Sequence, residues 1–239
     1  MMTLRFTEGD IAFIHPDDPL IRNIVTGIFE GGEYPVLRLP GYVPETILDI
    51  GAHIGAATVY FAHQFPGAQI FCYEPSARNF HYLIRNTGFS DRIRALPYGL
   101  HNQTFETPLY YGTDQSAQDS IVRSGETGEE GETVSMVRVS EELRRLALER
   151  VSILKIDTEG CEIPILEEFL PVLDRIDVLY CEYHSEEDRI QMDRLLSSHF
   201  LLFYCYATTV HRGLHAYVSR SLATGYPELH RFRIPPHSP

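Results

Sequence analysis

The sequence predicts a doubly wound α/β fold whose mostly parallel sheet ends in an antiparallel hairpin. Three observations predict it. From residue 46 onward, short apolar runs alternate with helical stretches; the first run closes on a glycine turn that opens a helix; two later runs end in acidic turns. At 44% hydrophobic and 22% charged residues over 239 positions, the composition is globular and excludes a disordered or fibrous chain.

Residues 1–45 mix apolar patches with Pro16, Pro19, Pro35, Pro40 and Pro44, and Ile21, Ile24 and Ile28 suit one face of a short helix. This segment is expected to be a lid or support, and the main domain to run over 46–225. Thr46–Ile50 is the first strand of that domain, and Ala56–Gln64 is a helix stopped before Pro66. Gln69–Tyr73 is a second strand ending in Glu74-Pro75; Ser76 then caps a helix with Phe80, Leu83 and Ile84 on one face. Ile93–Leu96 is a third strand, 108–111 and 133–139 form two strands flanking a long loop, and 141–150 is helical by propensity. Val151–Ile156 and 177–181 have the continuous apolar character of buried parallel strands, separated by a helix around 165–169. A helix over 189–196 and a hairpin of 200–207 with 213–219 complete the sheet. The loop 112–133 is rich in Gly, Ser, Glu and Thr, and is expected to be disordered or a lid that orders around ligands. A loose tail is expected over 226–239.

Twenty Lys plus Arg against thirty-three Asp plus Glu leave a net charge of −13, which repels polyanions, so nonspecific nucleic-acid binding is not expected. The longest wholly apolar run, 200–207, falls far short of the ~18 residues that span a bilayer, and the N-terminus carries no cationic-then-apolar leader. A cytoplasmic protein with no membrane partner is expected. Cys72, Cys161, Cys181 and Cys205 form no CxxC pair, so neither zinc nor a disulfide framework is expected.

Chemistry concentrates at the strand ends. In Asp49-Ile50-Gly51-Ala52-His53-Ile54-Gly55, the glycines allow a tight turn and close approach of a ligand to the backbone. Their G-x-x-x-G spacing departs from the G-x-G-x-x-G that cradles a pyrophosphate, and Glu74 at the next strand tip can accept hydrogen bonds from both ribose hydroxyls. This describes an adenosyl site without phosphates, which S-adenosylmethionine fits. In Lys155-Ile156-Asp157-Thr158-Glu159-Gly160-Cys161-Glu162, Lys155 and Asp157 share a strand face. Lys155 is the one lysine beside nineteen arginines, and either a structural ion pair or a catalytic role accounts for it. A third group, Glu182 and His184, follows the next strand; ligands gather beyond the carboxyl ends of such sheets.

The stretch ILDIGAHIGAATVYFAHQFPGAQIFCYEPSARNFHYLIRN, followed by ILKIDTEGCEIPIL, resembles the FkbM family of S-adenosylmethionine-dependent methyltransferases. The resemblance covers about residues 46–166. It implies a Rossmann-like methyltransferase sheet and methyl transfer to hydroxyl oxygens of sugars, polyketides, other natural products or glycans. It further implies that Asp49, Gly51 and Gly55 line the methionine end, that Glu74 holds the ribose, and that Leu100 packs on adenine. His53 stands where the family more often has Asn. Asp157 and Glu159 match the acidic positions of the second motif, and Asn79 and Asn86 match polar positions that a surface or capping role explains equally well.

The expectation is therefore an O-methyltransferase with a small-molecule or glycan acceptor. Its rivals are a catalytically silent S-adenosylmethionine-binding module and a nucleotide-cofactor oxidoreductase. Catalysis is expected to be metal-independent, with His184 taking the acceptor's proton and Asp157 or Glu159 orienting the imidazole or the acceptor. The alternative is a divalent metal held by Asp157, Glu182 and His184.

Overall fold

A computed structural model describes the chain except for residues 7–8, 113–117, 124–126, 228 and 230–239. The expected loose tail thus lies almost wholly outside the described residues. The chain begins with an antiparallel hairpin of β1 (Met2–Phe6) and β2 (Gly9–Phe13), which the sequence reading did not anticipate. In α1 (Pro19–Phe29), Asp18 caps the first turn by accepting the Leu20 amide at 2.8 Å. The inward face is Ile21, Val25 and Ile28, with Ile24 only partly buried.

The central domain follows as β3 (Thr46–Ile50), α2 (Ala56–Gln64), β4 (Gln69–Tyr73), α3 (Ala77–Thr87), β5 (Ile93–Leu96), β6 (Gly99–His101), β7 (Phe105–Gly112) and β8 (Thr127–Arg138). It continues through α4 (Val139–Leu146), β9 (Val151–Ile156), α5 (Glu162–Phe169), a 3-10 turn at Leu170–Arg175, β10 (Ile176–Tyr183), α6 (Glu186–Leu196), β11 (Phe200–Thr209), β12 (Arg212–Ser219) and α7 (Arg220–Gly225). The main sheet is ordered β11-β12-β10-β9-β3-β4-β5, parallel from β10 to β5, with β12 antiparallel to both neighbours. The strand order reverses between β3 and β9, so the turns after these strands open a crevice there.

Strand alternation divides the core in two. Ile47, Ile153 and Val178 pack on one face with α1 and α2; Leu48, Leu154 and Leu179 pack on the other with residues of α5 and α6. Both faces being covered, β9 is buried at every position, which accounts for its unbroken apolar character.

Two expected elements change. The loop expected over 112–133 is shorter, because β8 begins at Thr127 and pairs with β7 as far as Gly112; with β6 these strands make a separate three-stranded sheet. The helix expected over 141–150 spans Val139–Leu146, since Ala147 turns left-handed (φ 51°) and ends it. Ser76 does stand at the N-cap of α3, but its side chain makes no capping bond. Among the described residues, no helix is long and apolar enough to cross a membrane.

Candidate active site

The turn after β3 is built against its neighbours on both sides. The amides of Gly51 and Ala52 donate to the Tyr73 carbonyl (3.1 and 2.9 Å), and the Asp157 amide donates to the Ile50 carbonyl (3.1 Å). Gly51 has φ +78°, and a Cβ there would lie 1.7 Å from the Asp157 carbonyl oxygen. Only glycine fits between these loops.

Glu74 closes the far side of the turn. Its two carboxylate oxygens accept the backbone amides of His53 (2.8 Å) and Ser76 (2.9 Å). Burial raises its pKa to about 7, against the lowering effect of those two donors. The His53 imidazole, by contrast, is driven down to about 4 by burial and is neutral at physiological pH. Gly51, His53 and Glu74 line a cavity of about 270 Å³, to which Leu100, Leu109 and Met136 contribute an apolar wall.

Two residues expected at the methionine end are not on that wall. Asp49 is fully buried behind the turn, accepting the Thr58 hydroxyl at 2.5 Å and facing Lys155 Nζ at 3.2 Å. Gly55 serves packing: with φ +93° it starts α2, and a Cβ would approach Leu83 Cδ1 to 2.9 Å. Asn86 is structural too, since its amide bonds the Ile14 and Ile54 carbonyls (2.8 Å each) and ties β2 to the glycine turn. Asn79 lines the cavity and donates to Asp119 at 3.3 Å.

Lys155 joins the two motifs. Its ammonium lies 3.3 Å from Asp157, 3.2 Å from Asp49, and donates to the Gly51 carbonyl at 2.5 Å. Burial disfavours its charge, but Asp157 and Asp49 outweigh that and hold its pKa above the ordinary lysine value. The structural reading of Lys155 thus has its partners, and through them Lys155 fixes the turn that borders the cavity.

The acidic rim lies beyond β9 and β10. Asp157, Glu159, Glu182 and His184 each place one ligand-type atom within 4.8 Å of all the others. His184 Nε2 is 3.1 Å from Glu159 and 3.7 Å from Glu182, while Nδ1 is 3.5 Å from Glu162. Burial opposes protonation of this imidazole, yet Glu159, Glu162 and Glu182 push its pKa up to about 12. An imidazole held protonated by this pull is a poor acceptor for a substrate proton, which argues against His184 as the general base. Burial also works against charge on Asp157, but Lys155 and a hydrogen bond with Glu182 keep it ionised, whereas burial and Asp157 hold Glu182 well above the ordinary range.

Sequence reasoning missed three residues of this region. Glu33, from the link after α1, lines the cavity and is raised to about 7 by burial and by Asp157, with Lys155 pulling the other way. No motif surrounded it in the sequence. Glu162 clamps the acidic turn, accepting the Thr158 amide (2.8 Å), the Thr158 hydroxyl (3.0 Å) and the Gly160 amide (3.1 Å). Asp119 lies in the loop expected to be disordered or a lid, yet it accepts Arg78 Nε (2.8 Å) and the Gly112 amide (3.0 Å) and lines the cavity.

A glycine turn, a buried carboxylate at the adjacent strand tip and an apolar wall, all at the point where strand order reverses, define an adenosyl-binding Rossmann-like fold of the methyltransferase class. The methyltransferase FkbM domain matches residues 49–215, and the chain belongs to that family. S-adenosylmethionine is its cofactor. The methyltransferase sdnD of Sordaria araneosa is 28% identical over 172 residues, covering 59% of this chain and 65% of that protein. The 2-O-methyltransferase NoeI of Sinorhizobium fredii (strain NBRC 101917 / NGR234) is 24% identical over 155 residues, covering 59% of this chain and 64% of that one. The chain therefore matches just under two thirds of the length of these relatives. The Methanococcus jannaschii fibrillarin pre-rRNA processing protein shares the fold, with a TM-score of 0.51 at 10% identity, over 91% of this chain and 82% of that one.

Proposed function

We propose that this protein is an S-adenosylmethionine-dependent O-methyltransferase acting on a hydroxyl of a small molecule, sugar or other natural product, glycans included. The observation that carries the proposal is a cavity holding the carboxyl groups of Glu33, Asp157 and Glu182 together with the glycine turn and Glu74. A hydroxyl is a poor nucleophile until it loses its proton, so an oxygen acceptor calls for proton-accepting groups at the site of transfer. The 2-O-methyltransferase name of one relative supports oxygen as the methylated atom.

When bound, S-adenosylmethionine supplies the sulfonium methyl that the acceptor oxygen attacks in line. Glu74 accepts the ribose hydroxyls, its orientation fixed by the His53 and Ser76 amides. Leu100, Gly51 and His53 line the cavity, where Leu100 would pack on adenine and Gly51 and His53 would border the methionine part. Asp49 acts at one remove, through Lys155. Glu33 takes the acceptor's proton, its pKa of about 7 suiting a base near neutral pH. Asp157 and Glu159 orient the acceptor. The net charge of −13 and the acidic rim favour a neutral or cationic acceptor over a polyphosphate.

Labelled methyl transfer into an extract of small molecules and glycans, with the product identified by mass, tests this reading. A labelled ether is the expected result. Tight cofactor binding without transfer to any component would support the silent module instead, and a turnover-linked change in nicotinamide or flavin absorbance would support the oxidoreductase.

A further inference from the structure

We propose that Asp157, Glu159, Glu182 and His184 form a site for a hard divalent cation, manganese or magnesium, at the carboxyl ends of β9 and β10. The inference rests on the O-methyltransferase reading for its use in catalysis, though not for its existence. It departs from the metal-independent chemistry expected from the sequence, where the spacing of these residues matched no dedicated metal motif.

The first observation is the size of the cluster. Around an octahedral ion with ligands at about 2.1 Å, adjacent ligand atoms lie about 3 Å apart and opposite ones about 4.2 Å. The four side chains offer atoms within 4.8 Å of one another, and His184 Nε2 already stands 3.1 Å from Glu159 and 3.7 Å from Glu182. Small side-chain adjustments bring them to bonding positions.

The second, independent observation is His184 itself. Its side chain is only 9% exposed, and both ring nitrogens are buried without a hydrogen bond. Carboxylate oxygens are near, yet none is aligned with an N–H, so the imidazole is aimed into the cluster without a directional partner there. Buried polar atoms left in this state point to a missing water or ion. The two nitrogens also differ as they do in metal-bound histidines: Nε2 faces the cluster, while Nδ1 faces Glu162 at 3.5 Å. A carboxylate behind the non-ligating nitrogen fixes the tautomer and raises ligand basicity. Glu162 is itself held by the Thr158 and Gly160 amides, so it is a rigid orienting group.

The third observation is charge. Lys155 is engaged by Asp49 and Asp157, and Arg212 reaches Glu159 only at 3.8 Å. Three carboxyl groups crowd one imidazole there, a donor set that a divalent cation can share. Three oxygen ligands select hard ions, the single imidazole admits manganese as readily as magnesium, and the absence of a thiolate from the set disfavours zinc. Asp157, Glu159 and Glu182 line the cavity, which gives the ion a route in and sets it where it can lower the pKa of the acceptor hydroxyl.

Manganese titration followed by electron paramagnetic resonance, on the full chain without cofactor or acceptor, tests the site. One manganese per chain, displaced by magnesium, is expected. His184→Ala and Glu182→Gln should each weaken binding at least about tenfold, the lower end of what even an outer-shell partner contributes. Retained cofactor affinity, read by calorimetry, certifies that each variant is folded; should one misfold, Glu159→Gln takes its place. Free manganese signal unchanged by millimolar native protein would overturn the proposal, as would binding that survives the substitutions undiminished. Because no methyl is transferred in this assay, a protein that binds manganese but methylates nothing keeps the site and loses the function. One that methylates without binding metal does the reverse.

Discussion

Lys155 shows how far a single residue reaches in this site. It neutralises Asp49 and Asp157 and holds the Gly51 carbonyl, so the ends of β3 and β9 both depend on one ammonium. Lys155→Met should destabilise the protein by about 3–5 kcal/mol, because it leaves the fully buried Asp49 and the partly buried Asp157 without their cation. Denaturant unfolding measures this; a loss under about 1 kcal/mol, the value of an exposed pair, would show that water reaches the site. Glu33 carries the residue-scale prediction for catalysis. Glu33→Gln should lower turnover by about 10²–10⁴ at saturating cofactor while leaving cofactor affinity nearly unchanged. The native rate at saturating cofactor should rise with pH through about 7 as Glu33 loses its proton, and the variant should lose that limb. A variant with native turnover and profile would remove Glu33 from the proton path. Only part of this was legible in the sequence. Gly51 and Glu74 stand in recognisable patterns, whereas Asp49 and Gly55 belong to the same motif yet face inward, a distinction made by packing against Lys155 and Leu83. Glu33 has no local signature, because it reaches the cavity only when α1 docks on the sheet.

At the scale of elements, Leu109 of β7, Met136 of β8 and the described residues Asp119, Ser120 and Ile121 between the two strands line one side of the cavity. Ser120 pairs with Tyr110 through both backbone groups (2.8 and 3.0 Å), and its hydroxyl donates to the Glu159 carbonyl at 2.6 Å. Asp119 binds Arg78 and the Gly112 amide, so this stretch is tied to α3, β7 and the acidic turn at once. Asp119→Ala should therefore speed hydrogen exchange at Gly112 and Ser120 and weaken cofactor binding. Exchange followed by mass spectrometry without ligand decides; unaltered protection at both amides would mean that the Ser120 contacts suffice. The sequence made this region look unanchored because its fixing groups are polar and distant in the chain. The parallel strands, in contrast, were legible to the residue: β3, β4, β5 and β9 follow from apolar runs bounded by turns. The β1–β2 hairpin was not, since its strands are short and close on residues with no hairpin signature.

For the whole molecule, pH should act in opposite directions on stability and on cofactor binding. Glu33 and Glu74 have folded pKa values near 7 against an ordinary 4.5, so their stabilising contribution is complete below 4.5 and is lost as pH rises through 7. The melting temperature of the ligand-free protein should accordingly fall between pH 5 and 8. Cofactor binding runs the other way. Ribose hydroxyls donate to the charged form of Glu74, so binding must first expel the proton that burial keeps there below pH 7. With a free-protein value of about 7 and a bound carboxylate back in its usual range, affinity should rise about tenfold from pH 6 to pH 8, or about 1.4 kcal/mol. The thermal shift produced by S-adenosylmethionine should grow over the same interval in which the unliganded protein weakens. Glu74→Gln, which cannot titrate, should bind more weakly and remove this growth; Glu74→Ala should cost about 1.5–3 kcal/mol of affinity, the range for hydrogen bonds to a charged group. Calorimetric titrations at pH 6, 7 and 8 on the native protein and the glutamine variant separate the two effects. A native affinity independent of pH would mean that the ribose is held elsewhere than at Glu74.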